Sequence, residues 1–261
     1  MSDTGRGARP RGAAPPRRRR VGRVLWLALH AALGMRALSA HEIVDAETVR
    51  TLVAATDAAA ARVEKATGSP AQAEATFALG MAQVDATAIL NRDLAAHNGK
   101  LTFHGEALQK ELDQRHLAPA FDSAIGRFRL PRRALEQALG LGPQSQQALR
   151  ARFELLKAGF YESFVLDPFQ LVGMSADDLD RQIAEAEALA AIAASADDAE
   201  EAAFIHAIDL ARAARLSAKP DTARAYADKA RTALAAFSRS YPDSMRAAST
   251  TLVLKNLGGG E

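Results

Sequence analysis

The sequence predicts an all-α protein, a helical bundle followed by stacked antiparallel helical hairpins. Apolar residues recur at spacings of three and four along residues 41–257, and no segment alternates apolar and polar residues as a half-buried strand would. Capping residues and Pro or Gly stops separate these periodic segments. The chain is long enough for one large or two small domains with an ordinary hydrophobic core.

Residues 1–40 have the pattern of a cleaved secretory signal peptide. Arginines at residues 17–20 and at Arg23 precede an apolar run over residues 24–33, and the small residues Ser39 and Ala40 follow. We therefore expect cleavage after Ala40 and export to the periplasm or the exterior.

The two main alternatives to a signal peptide fit less well. The apolar window between Arg23 and Arg36 gives about 18 Å of helix, too short for a hydrocarbon core of roughly 30 Å. A mitochondrial presequence is amphipathic, whereas this window is apolar on all sides. No transmembrane anchor is expected in the mature protein.

Removal of the leader reverses the charge of the chain. The full sequence has 33 basic and 31 acidic side chains, and residues 1–40 hold nine arginines and one aspartate, so the mature part has a formal charge of −6. A chain of that sign gains nothing from counterion release, and nucleic acid is not an expected partner. The absence of Cys from the sequence excludes disulfides and Cys-ligated metals in this chain.

Three helices are predicted at the start of the mature chain. Asp45 caps the first, which ends at Thr67-Gly68, and Ser69-Pro70 opens the second, with Ser69 as its cap, which ends at Asn98-Gly99. The third covers about residues 104–117. The residues expected on the buried faces are Val49, Leu52, Val53, Ala60 and Val63 in the first helix and Phe77, Met81, Val84 and Ala88 in the second.

Prolines divide the next part of the chain. Residues 119–130 are expected to be irregular or a short helix. Pro131 starts a helix to about Leu141, and Pro143 starts a longer one that ends at Asp167-Pro168, because the residue before a proline is disfavoured in the α conformation. The apolar face of the longer helix is Leu149, Phe153, Leu156, Phe160 and Phe164.

We place the domain boundary near this break. An N-terminal helical region, residues 41–172, then precedes a C-terminal hairpin region, residues 173–257, and residues 258–261 form a flexible tail. Ser175 caps the first hairpin helix and Pro220 opens the most amphipathic one. The acidic residues near the helix starts, interpreted as caps and solvated faces that complement the helix dipole, are Asp177, Asp178, Asp180, Asp197, Asp198, Glu200 and Glu201. The residues expected to be buried are Leu179, Ile183, Ala186, Ala190, Phe204, Ile205, Ile208, Ala211, Ala223, Tyr226, Ala227, Ala230, Leu234 and Phe237.

The end of the hairpin region resembles a known repeat family. Ala230, Leu234, Phe237 and Pro242 have the spacing of the second half of a tetratricopeptide repeat. Residues 237–244 are similar to repeats of the periplasmic helical-repeat proteins that serve outer-membrane assembly and cell-division coordination. The likeness covers about thirty residues, without the Trp/Leu-Gly signature of the first repeat helix or the lipid-anchoring Cys of the assembly lipoproteins. A plain helical hairpin closed by a proline is the alternative.

The resemblance implies a concave surface that binds a peptide or another protein, and it implies no catalytic activity. Such repeats bury a core only by stacking, so a short array needs the preceding helices as its cap.

Two groups of residues are candidates for contact with a partner. Arg127, Arg129, Arg132 and Arg133 lie within seven residues of an acidic mature chain, and positive charge at a helix start opposes the dipole by about 0.3–1 kcal/mol. A surface for an acidic partner, an anionic lipid or a glycan is therefore one interpretation, and a basic loop paired with nearby acids is the other. On the first interpretation, Arg132→Glu with Arg133→Glu leaves stability almost unchanged. Outside the apolar face of their segment, Tyr161 and Phe169 are candidates for a pocket or an interface.

Metal chemistry has weak candidates only. His206 and Asp209 lie one turn apart on one helix, and His41 would become the amino terminus on cleavage, where a His can chelate copper. The copper-dependent polysaccharide oxygenases that use such a terminus are β-sandwiches, and no strands are predicted here. No catalytic motif is present in the sequence. We therefore expect no enzyme activity and no cofactor.

These observations favour an exported protein-interaction or envelope assembly factor that binds a protein or peptide. The alternative is a ligand- or metal-binding helical bundle, accessory to an exported redox enzyme.

Overall fold

The structure, a computed structural model, describes residues 44–163 and 171–258. Within those two segments the chain forms nine α-helices and one short β-hairpin, which confirms the predicted all-α class. The predicted signal peptide, His41, Phe164, Phe169, the Asp167-Pro168 break and residues 259–261 of the tail lie outside the described residues. None of the described helices combines the length and the apolarity needed to cross a membrane.

The elements follow one another in the order α1–α3, β1–β2, α4–α9. The helices are α1 Ala46–Lys65, α2 Ser69–Ala96, α3 Phe103–Asp113, α4 Arg133–Gly140, α5 Ser145–Tyr161, α6 Ala176–Ile192, α7 Ala196–Leu216, α8 Pro220–Ser240 and α9 Ala247–Gly258. The strands are β1 Ala120–Asp122 and β2 Arg127–Arg129.

The hairpin corrects the expectation of an irregular or helical segment at residues 119–130. Its strands pair antiparallel, with Phe121 opposite Phe128. Asp122 accepts a hydrogen bond from the amide of Ala124 at 2.8 Å, and Gly126 closes the turn at a φ of +66° that favours glycine. Strands of three residues are too short to show the alternation by which strands are recognised.

The helix starts predicted at Asp45 and Ser175 are confirmed by side-chain caps, whereas α4 and α5 begin two residues after the predicted prolines, at Arg133 and Ser145. Asp45 accepts from the amide of Thr48 at 2.7 Å, and Ser175 forms a reciprocal capping box with Asp178. At α2 the predicted cap is wrong by one residue, because Gly68 occupies the cap position at a φ of +85° and Ser69 is already helical.

The core of the N-terminal half forms around α2. This helix contacts α1, α3, β2, α4 and α5, so its buried residues are spread around the helix. The predicted face is therefore incomplete: Phe77, Met81 and Val84 are half-buried and Ala88 is exposed, whereas Leu90 and Leu94 are buried on another side. In α1, similarly, the buried residues are Val49, Thr56 and Ala59, and the other predicted members of the face are only half-buried.

The C-terminal half forms its core around α7, which contacts α5, α6, α8 and α9. Ala230, Leu234 and Phe237 are 0, 0 and 2% exposed, as their spacing predicts. The same core includes three residues of α5, Phe153, Leu156 and Phe160. Because α5 also packs on α2 and α4, it connects the two halves.

Candidate functional site

An open groove lies between α6 and α8. It has a volume of about 1100 Å³, and α7 forms its floor through Ala203, His206 and Leu210. Alanines lie on both walls and on the floor. Six alanines line the groove: Ala184, Ala190, Ala191, Ala203, Ala233 and Ala236. Short side chains on facing helices leave the space between them unfilled.

Tyrosines mark the two ends of the groove along α8. The Tyr226 hydroxyl donates a hydrogen bond of 2.6 Å to Asp180 Oδ1 and so joins α8 to α6. Tyr241, at the end of α8, lies with its ring centroid 5.1 Å from that of Phe237. Fifteen residues separate the two tyrosines, and at 1.5 Å per residue the groove is about 22 Å long.

Charge is unevenly distributed between the two walls. Asp180 and Glu187 line the α6 wall, and Asp228 and Lys229 line the α8 wall. Asp228 forms an ion pair of 2.6 Å with Arg231, and this pair reduces the negative charge that Asp228 contributes to the groove. The α6 wall is therefore the acidic one.

His206 is half-buried in the floor between these walls. Burial lowers its pKa, an effect that Lys229 reinforces and that Glu187 and Asp209 oppose. The imidazole is therefore more readily neutral than an exposed one.

Asp209 does not share a ligand with His206 but lies in the core. It forms a fully buried ion pair of 2.7 Å with Arg212 and accepts a hydrogen bond of 2.7 Å from the Gln182 side-chain amide. Arg212 also donates to Ser163 Oγ and lies over the Phe160 ring. Burial raises the pKa of Asp209 against the opposing charge of Arg212. In the two described segments no group of three or more His, Cys, Asp or Glu side chains could hold a metal ion.

Three of the four clustered arginines form internal contacts. Arg129 pairs with Asp122 at 2.6 Å, and Arg132 pairs with the buried Glu162 at 2.7 Å. Arg127 donates a hydrogen bond of 3.1 Å to the backbone carbonyl of Tyr161, and burial lowers the pKa of Arg127. Of the four, only Arg133 is exposed. For Arg129 and Arg132 these pairs favour the second interpretation, a basic loop paired with nearby acids.

Tyr161 takes part in a network that the sequence reasoning missed. Its hydroxyl donates to Glu201, and burial raises its pKa. Arg246 pairs with both Glu201 and Glu200, and its guanidinium lies 5.5 Å from the Phe204 ring centroid. The two glutamates, predicted to be caps or solvated, instead hold the segment before α9 against α7. Their spacing from Arg246 in the sequence gives no signal of this contact.

A smaller cavity of about 380 Å³ lies beside the arginines. Arg129, Arg132 and Arg181 line it together with Glu162 and Asp178. Its basic groups thus face acidic ones, and it offers less unbalanced charge than the groove.

No known protein assigns a role to the groove. The sequence was compared with protein-family models and with curated proteins, and the fold with solved structures. None of the three comparisons found a match.

Proposed function

We propose that this protein is an exported interaction or assembly factor that binds a peptide segment of a partner protein in the groove between α6 and α8. The observation that carries the proposal is the groove itself, open to solvent, about 1100 Å³ in volume and lined by six alanines. The groove is open and about 22 Å long, so its shape suits an elongated segment of polypeptide better than a compact small metabolite.

The chemistry of the lining supports binding over catalysis. The alanines of the walls and floor allow a partner backbone to approach closely, as in helix-in-groove recognition. His206 is the only histidine in the lining, and its charged neighbours are on separate walls. The alternative of a metal-binding bundle has no observation in its favour among the described residues.

Two sequence features support the proposal, one for export and one for peptide binding. The basic, apolar and small pattern of residues 1–40 supports export. The spacing of Ala230, Leu234, Phe237 and Pro242 resembles that of a tetratricopeptide repeat, a family whose hairpins bind peptides.

The test fills the groove with a bulky side chain. Ala184 is exposed on the α6 wall, and Ala184→Trp would occupy the space without entering the core. Ala188→Trp is the matched control, because Ala188 is exposed on the same helix but does not line the groove. Tagged versions of the wild type and both variants would be used to capture partners from the cell envelope.

We expect a partner that the wild type and Ala188→Trp retain and that Ala184→Trp loses. Circular dichroism melting curves of the three proteins should coincide, since both positions are exposed. Retention of every partner by Ala184→Trp would show that the groove is not the binding site.

A further inference from the structure

We infer that the occupant of the groove is an amphipathic helix whose basic side chains face the α6 wall. This inference rests on the proposed function and specifies the kind of segment that is bound. Three observations carry it: the unneutralised acids of α6, their spacing, and the dimensions of the groove.

The acids of the α6 wall have no cationic partner in the described structure. Glu187 is exposed and forms no hydrogen bond or ion pair with a described residue. Asp180 accepts only from the neutral hydroxyl of Tyr226. On the opposite wall Asp228 is already paired with Arg231, and Lys229 remains as the positive group. A cationic side chain of an occupant is therefore attracted to the α6 wall.

The spacing of the two acids selects a helix. Asp180 and Glu187 are seven residues apart, which places them on one face about 10.5 Å apart along the helix axis. A bound helix that runs beside α6 presents residues i and i+7 at the same separation. In an extended peptide, residues about 10 Å apart are i and i+3, and their side chains point to opposite sides. A peptide in the β conformation therefore does not direct two such basic residues at both acids.

The dimensions of the groove agree with a helix of four turns. A length of about 22 Å corresponds to about fifteen helical residues. Packed helices approach to about 8–10 Å between axes, and small residues at the contact allow the closest approaches. The six alanines of the lining provide such a surface.

The experiment measures binding of labelled synthetic peptides to the mature chain by fluorescence anisotropy. The first probe is a fifteen-residue Ala/Leu amphipathic helix with Lys at two positions seven residues apart, and the second has Glu at those positions. A third probe keeps the two Lys of the first but has prolines in place of some alanines, which prevents a helix. We expect the Lys helix to bind about tenfold more tightly than the Glu helix at low ionic strength, with the preference declining in salt.

Charge variants locate that preference. Asp180→Asn with Glu187→Gln should bring the ratio of the two affinities close to one. Asp177→Asn should leave the ratio unchanged, because Asp177 is exposed on α6 outside the groove.

The outcomes separate this inference from the proposed function. Equal binding of the Lys and Glu helices, or equal binding of the proline peptide, would overturn the inference. So would failure of all three probes while a natural partner is still lost with Ala184→Trp, and in each case the groove would remain a binding site. If Ala184→Trp changes the binding of neither the natural partner nor any probe, the proposed function itself fails.

Discussion

Arg132 and Arg133 are adjacent in the sequence but differ in their contacts. Arg132 pairs with Glu162, whose carboxylate also accepts a hydrogen bond of 2.7 Å from the backbone amide of Leu130. Glu162 is only 6% exposed, so removal of its cationic partner leaves a charge with little access to water. Arg133 is exposed at the first residue of α4, where the dipole favours an acid.

We therefore predict opposite effects for the two charge reversals. Arg132→Glu should lower the free energy of unfolding by about 1–3 kcal/mol, because Glu162 loses its partner and gains a like charge. Arg133→Glu should leave it unchanged or raise it by about 0.3–1 kcal/mol through the helix dipole. Urea denaturation of the two single variants compares them directly. Equal stabilities would mean that the Arg132–Glu162 pair contributes nothing to the fold.

The pH dependence of stability contains a contribution from His206. Burial lowers its folded pKa below the ordinary value of 6.5, despite the opposing Glu187 and Asp209 and with the help of Lys229. The unfolded chain therefore takes up the proton more readily than the folded chain. The contribution of neutral His206 is complete above pH 6.5 and is lost as the pH falls through the folded pKa.

We predict that acidification from pH 7.5 to 5 destabilises the wild type more than His206→Gln. Glutamine retains the approximate size and polarity of the imidazole but does not titrate in this range. Free energies of unfolding measured in urea at several pH values give the difference between the two proteins. Parallel pH profiles would show that His206 accepts a proton as easily in the folded state as in the unfolded state.

At the scale of elements, sequence reasoning predicted the helix starts better than the buried faces. The cap Ser175 and the first helical residue Pro220 act through their own backbone surroundings, so the helix starts that they indicate do not depend on tertiary neighbours. α2 contacts other elements on several sides, and its buried residues do not form one stripe. In α8, which packs on α7 and α9, Ala230, Leu234 and Phe237 are buried as predicted. The other predicted members of this face, Ala223, Tyr226 and Ala227, are only half-buried.

That face gives a prediction for α8. Leu234 is 0% exposed, and Leu234→Asp would bury a carboxylate without a partner, at a cost of about 3–5 kcal/mol or more. This is a large part of a total stability of about 5–15 kcal/mol, so the C-terminal helices should unfold at ordinary temperature. Ala225→Asp is the control on the same helix, because Ala225 is exposed. Coincident melting curves for the two variants would contradict the assignment of the buried face.

At the scale of the whole molecule, the groove depends on which helices are neighbours, and periodicity does not report this. The sequence shows that α6 and α8 each have an apolar face, but it does not show that both lie on α7 with a space between them. The alanines at the groove, such as Ala184 and Ala191, fit either a buried or an exposed position of a helix, so their presence in the sequence does not indicate a binding site. Similarly, the sequence placed α5 before a domain boundary, whereas Phe153 and Phe160 extend the C-terminal core.

Export of the whole molecule has a spectroscopic test, because Trp26 is the only tryptophan of the chain and lies in the predicted leader. Cleavage after Ala40 removes it, so the protein recovered from the envelope or the medium should lack tryptophan fluorescence and have the mass of residues 41–261. Leu29→Arg interrupts the apolar run that a signal peptide requires, and this variant should remain inside the cell with Trp26 retained. An exported protein that keeps Trp26 and the full mass would contradict the cleaved leader. In that case the basic arginines of residues 1–40 stay attached, and the formal charge of the working protein is +2 instead of −6. The expected exclusion of nucleic acid as a partner, which depends on the negative charge, would then no longer hold.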